Sequence, residues 1–363
     1  MQRPIRIAAI RSFTAVLLCS FTEIALAGVS GPPIAVLDLG SEAPAVATTL
    51  VFASDGTIAI SRYPGSGGDL TGTILTAEFR EGRLRLLQRK TIDLDRPAMV
   101  GGLYSAAHGG ILSRLAVPPA LFSGDLRDLL TIPINQIKVV IPPEHQASFV
   151  GSFEMYNTGK IYRLRPTLSL VRAGLGEVLS ITDEFVAVRG DHDVRIEKIG
   201  GALEASFQVP PRSSCDGKVT ILGQNRLLMT GCGTDLVVDF RGRDLARLPQ
   251  REGWGFRFGQ SLDGIRVLSD NYIRRTSLGQ KVSEFFTDLI TLGMGVPVES
   301  KGETIRVVDT ITTGICFELE SPDHLFGRPG EYHADISPSG EYVAIVTAAT
   351  LSVYRLPHSC AAR

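Results

Sequence analysis

The sequence predicts an all-β chain wound into a closed ring of short sheets, a seven-bladed β-propeller with room for an eighth blade. Three observations carry that prediction. Apolar residues recur at every second position in short runs, as in Ile305-Arg306-Val307-Val308 and Leu351-Ser352-Val353-Tyr354, which is the period of a strand. Asp183-Glu184, Gln224-Asn225, Asp263-Gly264 and Ser339-Gly340 each open such a strand. They stand at intervals of about 40 residues, the last about twice that, which is the length of a propeller blade. The 38 glycines and 20 prolines among 363 residues supply the turns that many short strands need. A single blade cannot bury both faces of its sheet, whereas a ring of blades gives each face a neighbour and leaves only short edges exposed.

The elements follow in chain order. Arg3, Arg6 and Arg11 precede a short, mostly apolar run, Phe13–Phe21, and Ala25-Leu26-Ala27 ends it with small residues. This is the pattern of a secretory leader cut after Ala27, leaving Gly28–Arg363 as one propeller domain exported to the periplasm or beyond. The run is too short to span about 30 Å of hydrocarbon, and no later stretch is long enough to insert stably in a membrane. Pro33–Leu39 is strand-like and stands alone, so it is expected to pair with the last blade and close the ring. Blades are expected at about 48–95, 97–145, 147–175, 176–210, 213–249, 253–320 and 331–357. The sixth is overlong and implies either an insertion around Phe285–Val298 or two blades. Only Asp125–Ile132 and Ser283–Leu292 show a modest helical period.

At the C-terminal end the residues reach a recognisable pattern. Ser337-Pro338-Ser339-Gly340 resembles the turn of WD40-like and TolB-like propeller repeats, and Ser261-Leu262-Asp263-Gly264 and Ala53-Ser54-Asp55-Gly56 are similar to it. Val307-Val308-Asp309 followed by Thr313-Gly314 resembles the third strand and turn of a WD40-like blade, and Val237-Val238-Asp239 with Gly242 repeats it. The whole chain also resembles uncharacterised exported bacterial propeller proteins. The likeness is fullest in the C-terminal half. No Trp-Asp dipeptide occurs, and Trp254 is the single tryptophan. The resemblance therefore implies the fold, and fold alone does not name an activity.

The chemistry-bearing residues form no catalytic motif. Lys+Arg is 37 and Asp+Glu is 38, a net charge of −1, which gives no general attraction to nucleic acid or to an anionic membrane. Gly259-Gln260-Ser261-Leu262-Asp263 lacks the final glycine of a nucleophile elbow, so Ser261 is expected in a blade turn. The six histidines form no metal-ligand pair. Asp191-His192-Asp193 reads as a hairpin tip, and His333 as a hydrogen-bonded structural residue. Arg83, Arg85, Arg89 and Lys90 read as an exposed outer strand. No catalytic residue, metal ligand or cofactor is expected.

Two aromatic groups are candidate contacts with a partner. Trp254 and Phe256 alternate at strand period with Phe258, either as core or as a platform at the ring mouth. Phe285-Phe286 sits in the suspected insertion. With Cys19 lost in the leader, Cys215, Cys232, Cys316 and Cys360 remain, an even set that permits disulfides after export. Cys215 and Cys232 bracket an apparent strand and either pair or stay as buried thiols. Cys316 with Cys360 would tie the last blade to the chain end. The expected function is that of an exported, non-enzymatic, monomeric propeller. It would bind a protein or other cell-envelope component through one face. The alternative is a propeller hydrolase acting on carbohydrate or a small ester or lactone at the central channel.

Overall fold

A computed structural model describes residues 31–40, 45–64, 71–93, 102–113, 116, 118–133, 140–141, 146–154, 158–190, 193–208, 218–223, 225–230, 235–248, 260–276, 298–320, 333–347 and 349–360. They form seven small antiparallel sheets and no α-helix. Strand β1 (Ala35–Asp38) comes first. Blade 1 is β2 (Ala45–Ser54), β3 (Thr57–Pro64), β4 (Thr71–Arg80) and β5 (Arg83–Asp93). Blade 2 is β6 (Leu103–Ala106), β7 (Gly110–Ser113), β8 (Ala120–Phe122) and β9 (Asp128–Thr131). Blade 3 is β10 (Val140–Ile141), β11 (Phe149–Glu154), β12 (Thr158–Arg163) and β13 (Ser169–Leu175). Blade 4 is β14 (Glu177–Ile181), β15 (Phe185–Arg189), β16 (Asp193–Lys198) and β17 (Leu203–Gln208). Blade 5 is β18 (Lys218–Leu222), β19 (Arg226–Thr230), β20 (Leu236–Asp239) and β21 (Asp244–Arg247). Blade 6 is β22 (Arg266–Thr276), β23 (Val298–Asp309) and β24 (Ile315–Glu320), with Gln260 bridging Val267 on the inner edge of β22 in the place of a first strand. Blade 7 is β25 (His333–Ile336), β26 (Tyr342–Val346) and β27 (Thr350–Arg355), with β1 as its fourth strand.

The core lies between blades. In blade 1, Leu50, Phe52, Ile58 and Ile60 pack on Ala344, Val346, Leu351 and Val353 of blade 7. The alternate residues Val51, Ala53 and Ala59 pack on Leu103, Ile111 and Phe122 of blade 2. Inner strands bury both faces and so read as nearly continuous apolar runs, each large side chain adding about 1.5–3 kcal/mol. Outermost strands have one side in water. That explains Arg83, Arg85 and Arg89, which are exposed on β5.

The ring closes as the sequence implies. Strand β1 runs antiparallel to β27, from Ala35 opposite Val353 to Asp38 opposite Thr350. The Ile34 amide donates to Val353 O and the Leu39 amide to Ala349 O, both at 2.8 Å. The last blade thus takes its outer strand from the other end of the chain.

Three expectations are refined. The sixth unit is one blade with an insertion, because β22 and β23 pair directly from Arg266–Asp309 out to Thr276–Val298, leaving 277–297 as the connection. Val140-Ile141 belongs to the third blade and not the second, since Val140 pairs with Ser152 of β11. Asp125–Ile132 is a turn followed by a strand and not a helix. There Ser123 Oγ accepts the Arg127 amide at 3.0 Å, and Leu130 pairs with Leu121 on β8. A serine that satisfies a nearby amide competes with the helix ladder, and the neighbouring strand completes the outcome. Ser283–Leu292 lies outside the described residues.

Candidate functional site

A propeller's innermost strands have no further strand on their channel side. Their inward amides need other acceptors, because an unpaired buried N–H costs about 1–3 kcal/mol. At the seam between blades 7 and 1, β25 supplies them. The Leu50 amide donates to His333 Nδ1 at 3.2 Å, and the Phe52 amide to Asp335 Oδ2 at 2.8 Å. His333 and Asp335 are two apart, so they share the face of β25 turned to blade 1, while Ala334 and Ile336 point into the core with blade 6. Between blades 4 and 5 the Ile221 amide donates to Ser180 Oγ at 3.0 Å.

These roles constrain protonation. His333 Nδ1 accepts and therefore carries no proton there. Burial pushes the Asp335 carboxyl up to about 7, against the amides of Phe52 and Ile336, which pull it down. Asp335 is only half-buried by exposure, but protein surrounds it on the channel wall and leaves little water to solvate a charge. The group nearest in character to a general acid is thus already engaged with backbone.

The turns joining first to second strands are linked around one face of the ring. The Leu262 amide donates to Pro338 O at 2.7 Å, the Ser339 amide to Asp55 Oδ1 at 2.9 Å, and the Ser148 amide to Asp183 Oδ1 at 2.6 Å. Between blades 5 and 6 the turns meet so closely that a Cβ on Gly223 would lie 2.4 Å from Asp263 O. There Arg226 is buried and donates to Thr310 Oγ1 at 2.8 Å, Gly223 O at 3.3 Å and Gly264 O at 3.5 Å. Burial lowers its pKa, partly opposed by Asp263 and Asp309.

Ser261 lies in a turn, as expected. Its hydroxyl donates to Asp263 Oδ1 at 2.6 Å and accepts the Arg266 amide at 3.0 Å, the geometry that Ser337 repeats with the Tyr342 amide. Cys316 on β24 is joined to Cys360, with their Cα atoms 4.4 Å apart, so the bridge ties the chain end to the sixth blade. Cys215, Cys232, Trp254, Phe256, Phe285 and Phe286 lie outside the described residues, as does His192. Sequence reasoning missed Asp335. The signal was present: two polar residues alternate with apolar ones on a strand whose faces are both buried.

No protein-family model matches the chain, and no curated protein sequence matches it. Among solved structures, the crystal structure of Sqt1 from Chaetomium thermophilum is similar to it, with a TM-score of 0.47 and 12% identity over 90% of this chain and 100% of that one. The blade count rests on the sheet topology above.

Proposed function

We propose that this protein is exported and binds a protein or other cell-envelope component through one face of its ring, without transforming it. The observation that carries the reading is the closed ring itself. Seven sheets, locked by β1 and by hydrogen bonds between neighbouring blades, hold their turns as a rigid surface of the kind on which binding residues are commonly presented. The leader pattern over residues 1–27 supports export. The Cys316–Cys360 disulfide supports an oxidising compartment. We assign partner contact to Trp254 and Phe256 and to Phe285 and Phe286 in the 277–297 connection, aromatic side chains being favoured binding anchors. The ring acts as a monomer and needs no cofactor.

The test is affinity capture from the envelope fraction of the source organism, with residues 28–363 as bait and mass spectrometry as the readout. A reproducible, salt-resistant partner that is lost on Phe285→Ser with Phe286→Ser is expected. Failure to retain any component above background refutes the reading. Turnover on a panel of glycosides and lactones would replace it with the hydrolase.

A further inference from the structure

The described large apolar side chains that reach solvent fall into two groups. Most belong to the outermost strands or their approaches: Val36, Leu86, Leu129, Leu170, Leu203 and Leu245 among them. Single apolar residues scattered around a rim are ordinary. Leu262 and Ile311 are different. They sit at the tips of two turns of blade 6, 51% and 57% exposed, where short polar residues are the usual choice. The two turns are held side by side, the Thr310 amide donating to Ile265 O at 2.7 Å and the Thr310 hydroxyl to Gly264 O at 3.0 Å.

The inner turns of this face are acidic. The inner turns, between first and second strands, expose Asp55, Asp183, Glu184, Asp263 and Glu341, with no lysine or arginine among their described residues. The outer turns, between third and outermost strands, carry both signs, with Arg127, Arg165, Arg241 and Arg243 beside Glu81, Asp125 and Asp239. The inner turns of blades 6, 7 and 1 are contiguous through the Leu262–Pro338 and Ser339–Asp55 hydrogen bonds. Asp263, Glu341 and Asp55 therefore flank the apolar pair on one surface. Two cations lie close. Arg266 is tied to the carbonyls of Gly340 and Pro357, and Arg355 is exposed at the outer end of β27.

We propose that the inner-turn face across blades 6, 7 and 1 is a docking surface for a cationic segment of a partner protein that carries a large aliphatic anchor. The anchor covers Leu262 and Ile311, and its lysines or arginines face Asp263, Glu341 and Asp55. Charge sign selects this occupant, since an anionic membrane or a nucleic acid would meet carboxylates around the apolar pair. The proposal goes beyond the function above, which requires only that some face of the ring binds. It also uses none of the residues of the 277–297 connection. That connection leaves β22 and enters β23 at Thr276 and Val298, the ends of those strands opposite the Arg266–Asp309 pair beside these turns.

The test is fluorescence anisotropy of residues 28–363 with a short labelled lysine–leucine peptide, against glutamate–leucine and lysine–serine controls. The lysine–leucine peptide is expected to bind, more weakly as salt rises. Leu262→Ser with Ile311→Ser should weaken it at least about tenfold, and Glu341→Lys about three- to tenfold, a range consistent with the loss of an interface anchor or a rim charge. Those side chains are exposed, so unchanged melting curves show that the variants are folded. The surface is refuted by no binding, by equal binding of the lysine–serine peptide, or by an unchanged affinity in the double variant. Self-association that the double variant abolishes would refute it in favour of a second copy of the chain. Capture of an envelope partner by wild type, together with no peptide binding, removes this surface and leaves the ring's binding function standing.

Discussion

Asp335→Asn should make the protein more stable at neutral and alkaline pH and leave it almost unchanged at about pH 3. In the native ring the Asp335 carboxyl is pushed up to about 7 from an ordinary value of 3.8, chiefly by burial. Ionisation is therefore harder in the folded state than in the unfolded chain. The sign follows from linkage. Below 3.8 the group is neutral in both states and costs nothing. Stability is lost as pH rises from about 4 through 7, and the loss is complete above 7. Raising the carboxyl to about 7 has a ceiling near 4 kcal/mol. The side chain is open in part to the channel, so about 2 kcal/mol is the working figure. Asparagine keeps an oxygen for the Phe52 amide and does not titrate.

The assay is a series of thermal melts of both proteins from about pH 3 to 8.5. His333 and every other titrating group are common to both proteins, so to first order their contributions cancel in the difference. That difference should be near zero at pH 3, about half developed at pH 4.5, and reach about 4 °C in favour of the variant at pH 8, at roughly 2 °C per kcal/mol for a domain this large. Parallel curves would refute the reasoning. So would a variant less stable than wild type at pH 8, because the carboxylate would then be contributing to the seam rather than straining it.

Other perturbations test the architecture. Deleting residues 28–40 removes the β1–β27 pairing and uncovers the face on which Ala35, Leu37 and Leu39 pack. The lost ladder, with the Ile34 and Leu39 amide hydrogen bonds at its ends, and two half-buried leucines suggest roughly 5 kcal/mol, read as a drop of about 10 °C in melting temperature. An unchanged value would refute closure by this strand. Cys316→Ser should cost about 2–4 kcal/mol, since the bridge closes a separation of 44 residues. Adding reductant should lower the melting temperature of wild type and leave the variant where it is. Gly223→Ala should destabilise by about 2–4 kcal/mol, because the new Cβ meets backbone oxygen rather than a side chain that can move. Denaturant midpoints equal to wild type would show that the blade 5–6 seam is looser than this geometry.

The all-β ring was legible because its causes are local. Alternation along β26 and β27, and the Ser-Pro-Ser-Gly and Ser-Leu-Asp-Gly turns, announce strands and their ends within a few residues. The lone strand near residue 36 announced closure, because an isolated strand must find an edge. The failures are local as well. Asp125–Ile132 carries a weak helical period that the turn held by Ser123 and the edge of β8 override. Val140-Ile141 is so short that only its pairing partner shows which blade owns it.

The sequence by itself determined the strand period, the repeat length, the blade turns and the strand that closes the ring, since each depends on residues adjacent in the chain. Tertiary structure alone decided that the sixth unit is one blade, that Cys316 meets Cys360, and that Arg226 is buried against Thr310. It also brought together the groups that matter most for the candidate site. Leu50 and His333, Phe52 and Asp335, and Ser339 and Asp55 are each separated by more than 280 positions, and they touch only because the ring brings its last blade back to its first. A contact of that kind has no signature in spacing. It follows from which faces must be buried and from which backbone amides are left without a partner when the ring closes.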